Sequence, residues 1–238
     1  MSPRRVRPLA IRALLAGGAG VLAVLAGCAQ APVRGPVSDV QRAWHEREQR
    51  LSKLVHWDLS GRIGVKNGSD AWQGTLSWHQ SPKDYRIEVD GPFGQSQFQL
   101  QGGPKGVTLY TADKRQHRAR DPEQLLYAET GLQMPVAGLR YWVLGLTAPH
   151  AAGARPGPAD GRRFDDQGRL TRFTQGGWQV RIPGYTRVGA YDLPKKVFIS
   201  RGAIGLRLVV DRWRLHTANG LETLRLRSGR RLAAAGGP

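Results

Sequence analysis

Between residues 57 and 109 apolar side chains return at every second position, a period that excludes an all-helical fold. Trp57, Leu59, Gly61, Ile63 and Val65 share one side of an extended segment. Lys66-Asn67-Gly68-Ser69 supplies a turn, and the next segment repeats the pattern. There Trp72, Gly74, Leu76 and Trp78 line one face, while Gln73, Thr75, Ser77 and His79 line the other. Tyr85, Ile87 and Val89 mark a third strand, Phe98 and Leu100 a fourth, Val107 and Leu109 a fifth. Short Gly, Pro and Asp connections join them, which is the pattern of an antiparallel meander.

Helical spacing appears in three places. Ser38 and Gln41 form a capping box, and Val40, Trp44, Arg47, Leu51 and Leu54 make a narrow apolar stripe, predicting a helix over 39–54. Asp121-Pro122-Glu123-Gln124 combines a capping Asp with Pro at the first helical position, and Gly131 closes that helix after Leu125, Leu126 and Ala128. A third helix is expected from near Pro135, carrying Val136, Leu139, Val143 and Leu146. Residues 147–162 are rich in Pro, Gly and Ala and predict a mobile surface loop. Strands resume at 169–175, 178–183 (after the Gly176-Gly177 turn), 195–200 and 206–213. The arginine-rich segment 214–238 predicts a flexible tail. One mainly β domain over 38–213 results, with about nine strands, and an antiparallel sheet of that size curls. Its concave face must be filled by side chains, by a helix or by a ligand.

The N-terminus decides the compartment. Arg4, Arg5, Arg7 and Arg12 precede a stretch, 13–27, made only of Ala, Leu, Val and Gly, with no acidic residue in the first 27 positions. A bilayer span needs about 20 apolar residues, so this stretch reads as an export signal. Cys28, the only cysteine, closes the run Leu25-Ala26-Gly27-Cys28. That is the pattern of a bacterial lipoprotein signal, in which the cysteine is acylated and becomes the new N-terminus. Residues 1–27 are then the signal peptide and 28–37, with two prolines, an acylated tether. Ala29 follows the cysteine; in lipoproteins of this kind Asp there favours the inner membrane, so Ala29 points to the outer one.

The formal charge of +18 drops to +14 once the four leader arginines are removed. Export leaves no nucleic-acid partner, and anionic phospholipid or an acidic protein becomes the alternative. No Walker loop and no Gly-x-Ser-x-Gly elbow occurs, His45-Glu46 lacks a second histidine at Gln49, and the six histidines are dispersed. No metal or cofactor is expected, nor catalysis, although Glu88, Asp90, Asp165, Asp166 and Asp211 include carboxylates that the fold could pair. Seven tryptophans are many for this length; wide aromatics pack a core or wall an apolar cavity. Asp90-Gly91-Pro92-Phe93-Gly94-Gln95 places a phenylalanine where a turn ordinarily carries polar residues. Tucked under the rim it is a plug; exposed, it is a wedge whose burial in a membrane is worth about 1.5–3 kcal/mol.

Several segments in order resemble the LolB family of outer-membrane lipoproteins: 57–65 (WDLSGRIGV), 72–80 (WQGTLSWHQ), 85–95 (YRIEVDGPFGQ) and 139–146 (LRYWVLGL). The likeness continues through 166–170 (DQGRL), 176–180 (GGWQV), Leu193-Pro194-Lys195 and 206–213 (LRLVVDRW). It implies a half-open antiparallel β-barrel, LolA/LolB-like, whose helices cover an apolar cavity. That cavity takes the acyl chains of lipoproteins from the periplasmic carrier LolA and yields them to outer-membrane phospholipids, the protein acting as a monomer. It further implies a membrane-insertion loop at Pro92, Phe93 and Gly94, with Phe93 at the tip where Leu is common. On this footing the cavity candidates are Trp57, Leu59, Ile63, Leu76, Trp78, Ile87, Phe98, Leu100, Leu126, Trp142, Val143 and Trp178. An outer-membrane scaffold with a filled barrel, or an envelope hydrolase with a carboxylate pair, are the other functions the residues permit.

Overall fold

The computed structural model describes residues 36–91, 96–149, 156–217 and 220–225. Period-two alternation yields the expected meander: β1 (Trp57–Asn67), β2 (Asp70–Gln80), β3 (Tyr85–Asp90), β4 (Ser96–Gly103), β5 (Gly106–Thr111) and β6 (Gln116–Ala119) are successive antiparallel neighbours. A second meander holds β7 (Ala159–Phe164), β8 (Leu170–Gln175), β9 (Trp178–Val188), β10 (Tyr191–Arg201) and β11 (Ile204–Thr217). β11 returns to pair with β1, so the two meanders fuse into one sheet open between the edges β6 and β7, with β12 (Gly220–Arg225) on β11. This is the half-open antiparallel barrel that the family resemblance implied. Among the described residues three helices accompany it, α1 (Pro36–Leu51), α2 (Pro122–Thr130) and α3 (Val136–Trp142).

Register puts the apolar rows of both meanders on one face. Trp57 and Leu59 stand opposite Gln80 and Trp78 on one side, and opposite Leu215 and Trp213 on the other. The Trp57 ring meets those of Trp78 at 5.2 Å and Trp213 at 5.4 Å, so three strands are joined by one aromatic cluster. The β1–β11 register shifts between Ser60 and Gly61. Glycine is required there, because a Cβ on Gly61 would lie 2.3 Å from the Val209 carbonyl oxygen.

α1 closes the β7–β10 side. Trp44 packs on Phe164 at 5.3 Å, and the buried Arg47 donates to the Asp192 carbonyl. The Tyr185 ring lies between the guanidinium groups of Arg47 and Arg169, at 5.1 and 4.9 Å, while its hydroxyl donates to the Leu170 carbonyl at 2.6 Å. Burial, the main cause, raises the Tyr185 pKa and lowers that of Arg47.

Four expectations change. α1 starts at Pro36, so Ser38 lies inside the helix and the tether ends earlier than residue 37; Pro suits a first helical turn. The described residues form twelve strands, because β6, β7 and β12 carry no clear apolar alternation. The loop placed over 147–162 is partly structured: Ala148 is buried and 159–162 belong to β7; residues 150–155 lie outside the described residues. Residues 214–217 extend β11 and 220–225 form β12, so the flexible tail does not begin at 214. The extension is explained by Leu215, which is buried opposite Trp57.

Candidate functional site

The core face of the sheet is covered by α2, α3 and the segment that follows α3. α2 forms as its sequence dictates: the Asp121 carboxylate accepts from the N–H groups of Glu123 (2.8 Å) and Gln124 (3.2 Å), and Gly131 ends it in the left-handed region at φ 68°. Leu125 and Leu126 are its buried residues. Val136, Gly138, Leu139 and Trp142 bury α3 more deeply, and Val143, Leu144 and Leu146 continue the buried run.

Gln175 on β8 fixes that run to the sheet. Its Oε1 accepts from Trp142 Nε1–H (2.9 Å) and from the Ala148 amide (2.9 Å). Its Nε2 donates to the carbonyls of Ala148 (2.8 Å) and Gly157 (2.7 Å). All this occurs at 1% exposure. The Trp142 ring also meets Phe173 edge-on at 6.2 Å. A satisfied buried amide of this kind specifies one docking geometry.

Between these helices and the ends of β2 and β3 runs a groove of about 420 Å³, within the size range of small-ligand sites. Pro122, Val136, Ala137 and Tyr141 form its helical wall, Trp78, Gln80 and Tyr85 its floor, and Arg140 stands at its border. Gln80 and Tyr85 are cross-strand partners, and Tyr85 lies flat over Gly102, where any Cβ would meet the ring at 2.2 Å. Burial, with the nearby Asp121 and Glu123 carboxylates, pushes the Tyr85 phenol up to about 12, so it stays a neutral hydroxyl.

Two polar atoms in the floor are unmatched. Trp78 Nε1 and Gln80 Oε1 are buried without a hydrogen-bond partner, although Gln80 Nε2 donates to the carbonyl of Ser81 at 2.8 Å. One is a donor and the other an acceptor, only two residues apart on the same face of β2. Leaving either unpaired costs about 1–3 kcal/mol. A ligand with one acceptor and one donor beside a hydrocarbon body would relieve both.

All twelve cavity candidates are brought together, each buried in a single apolar cluster. Trp78 is the one among them that lines this groove; Trp57, Ile63, Leu76, Ile87, Phe98, Leu100, Leu126, Trp142 and Val143 form packed core around it, Leu59 borders a groove on the opposite face, and Trp178 borders a small pocket beside Arg201. Gln80, Tyr141 and Gln175 escaped the sequence reading, because their polar groups masked a place on the apolar face, and Tyr85 was read only as a strand marker; the even spacing of Gln80 from Trp78 was the available signal. Cys28, Pro92, Phe93 and Gly94 lie outside the described residues. Of the carboxylates weighed for catalysis, Asp165 is occupied by Arg169 (2.7 Å) and by its own turn, and Asp211 by Arg62 (3.3 Å). Among the described residues no cluster of His, Cys, Asp and Glu could hold a metal ion, and no helix is long and apolar enough to cross a membrane.

Residues 55–213 match the family model described as outer membrane lipoprotein LolB. Proteins named outer-membrane lipoprotein LolB are 39% identical over 194 residues in Nitrosococcus oceani (82% of this chain, 94% of that one) and 37% identical over 205 residues in Alkalilimnicola ehrlichii (86% and 97%). One from Pseudomonas putida is 34% identical over 196 residues, covering 81% of this chain and 92% of its own. A crystal structure of a DUF1329 family protein from Desulfovibrio piger shares the fold, with a TM-score of 0.52 and 9% identity over 75% of this chain and 94% of that one.

Proposed function

Because the chain belongs to the LolB family of outer-membrane lipoproteins, we propose that it is anchored through Cys28 and receives lipoproteins from the periplasmic carrier LolA. It binds their acyl chains beneath α2 and α3 and releases them into the outer membrane. The observation that carries this reading is the apolar groove with an unpaired donor and an unpaired acceptor in its floor. An acylated N-terminal cysteine offers the complement: ester carbonyls to accept from Trp78 Nε1, and an amide N–H to donate to Gln80 Oε1. Its hydrocarbon needs cover, since exposing an acyl chain to water costs about 0.8 kcal/mol per CH₂. No bond is made or broken. Transfer requires only that each site hold the chains better than the last, and that the cover move.

Displacement of a fluorescent fatty acid from the mature chain carrying Cys28→Ala tests this directly. Trp78→Phe keeps the aromatic floor and removes the N–H, so we expect diacylglyceryl peptides to bind about tenfold more weakly, as the loss of one hydrogen bond predicts, while a plain alkyl probe keeps its affinity. A filled barrel with no ligand would leave the probe free at every concentration. Delivery is a separate step: Phe93→Glu should preserve uptake from LolA and block insertion into liposomes, and unimpaired insertion would remove Phe93 from the membrane wedge.

A further inference from the structure

The face of the sheet turned away from the core carries a row of arginines that the acyl-chain reading does not use. Arg163 on β7 stands opposite Arg172 on β8, which stands opposite Arg181 on β9. Arg181 faces Phe198 on β10, Phe198 faces Arg207 on β11, and Arg207 faces Gly64 on β1. Antiparallel partners point to the same side, and the residues flanking this row (Phe173, Val180, Ile182, Val197, Ile199, Leu206, Leu208) are buried on the other. All four guanidinium groups are exposed, and none has an ion-pair partner among the described residues. On the same face Asp160 stands a row away opposite Thr174, and Asp211 is already held by Arg62 at 3.3 Å.

Like charges set directly across strands destabilise a sheet, and here two consecutive pairs do so. Two features turn the cost toward binding. Phe198 is half-buried between Arg181 and Arg207, whose guanidinium carbons lie 5.5 and 5.6 Å from its ring centre, which holds both side chains along the surface. Beside it Gly64 leaves open space where a side chain would stand, and a groove of about 700 Å³ follows, bordered by Arg181, Phe198 and Arg207.

We propose that this row is a docking surface for anionic phospholipid headgroups, orienting the anchored domain on the bilayer. Guanidinium groups pair with phosphate in a bidentate fashion and are weakly hydrated, which suits a headgroup layer. A protein partner would need an apolar centre to its interface, and Phe198 is the one large apolar side chain in the row. Proximity also favours lipid. Seven residues separate Cys28 from Pro36, a reach of at most about 30 Å, so an anchored chain meets membrane phosphate at high local concentration. Arg163 adjoins Phe164, which packs on Trp44 of α1, the helix that the tether enters. The inference rests on the outer-membrane location and not on cargo binding.

The experiment is cosedimentation of the mature Cys28→Ala chain with vesicles of phosphatidylcholine, or of phosphatidylethanolamine with phosphatidylglycerol, at low and high salt. Binding should require phosphatidylglycerol and weaken as salt rises. R172Q/R181Q should weaken it about twenty-five-fold, from roughly fivefold for each arginine near an anionic surface. R163Q/R207Q must reproduce that loss, and both variants should keep fatty-acid probe binding and melt no lower than the parent. A chain with Arg225, Arg227, Arg230 and Arg231 changed to Gln should retain most of the binding. Equal binding to phosphatidylcholine, indifference to salt, or a loss confined to that last variant would each overturn the proposal. So would undiminished vesicle binding by R172Q/R181Q alongside lost binding to LolA, which would assign the face to a protein.

Discussion

α2 and the α3 segment cover the same groove, yet they are held by different means. The α3 segment is locked from within: four residues of the helix are buried, and Gln175 satisfies Trp142, both backbone groups of Ala148 and the Gly157 carbonyl in one buried network. α2 is held from outside. It buries Leu125 and Leu126, and its further ties include a partly exposed contact between His117 on β6 and Glu129 (2.8 Å) and two long hydrogen bonds, Asn67 to Gly131 and Ala137 to Glu123, each 3.4 Å. Buried networks break all at once and at high cost, whereas surface pairs are each worth at most about 1 kcal/mol. The difference leaves α3 the more firmly held wall and α2, next to the open edge at β6, the element expected to lift if the cover moves.

Gln175→Leu should produce the largest change. It leaves the Trp142 N–H and the Ala148 amide and carbonyl buried and unpaired, and should destabilise the fold by about 3–5 kcal/mol, lowering the melting temperature by about 10 °C. Native-state hydrogen exchange should show the amides of α3 opening sooner in that variant while those of α2 change little; equal loosening of both would refute the division. Glu129→Gln should cost no more than about 1 kcal/mol and speed acyl-probe uptake, measured by stopped flow. Slower or unchanged uptake would return the moving part to α3.

The smallest effect lies away from both helices and serves as their control. Asp58 on β1 sits 2.6 Å from His79 Nδ1 and 3.0 Å from His216 Nε2, with His56 stacked on His216 at 4.6 Å. Partial burial works against its carboxylate, but the hydrogen bonds from His79 and His216 outweigh that cost and hold its pKa below the ordinary Asp value. A carboxylate with a depressed folded pKa contributes stability that is complete above the unfolded value, near 4, and is lost as pH falls through the folded one. Asp58→Asn should therefore flatten the acid limb of a melting-temperature profile below about pH 4, without altering probe uptake. An unchanged limb would show that His79 and His216 do not stabilise the carboxylate.

Much of the fold was legible in the chain. Tryptophans and aliphatics at period two placed β1–β5, Asp121 and Gly131 bounded α2, and Gly176-Gly177, at φ 60° and 78°, formed the tight turn between β8 and β9. The strands that escaped are those whose residues give no alternation. Gln-His-Arg-Ala in β6 and Ala-Asp-Gly-Arg-Arg-Phe in β7 are edge strands, one face packed lightly and the other in water, and charge on an edge guards against pairing with another chain. The cavity candidates are all buried, but burial alone could not tell packed core from groove floor.

What the sequence determined by itself is local: the extended segments, their turns and caps, and which side of each segment is apolar. Tertiary structure decided what lies across from what. Trp142 meets Gln175 from 33 residues away, and Arg163 shares a row with Arg207 only because β7 to β11 pair in one register. Periodicity is written in neighbours along the chain, whereas register comes from hydrogen bonding between strands far apart in sequence. Both the unpaired floor of the groove and the outer arginine row are products of register.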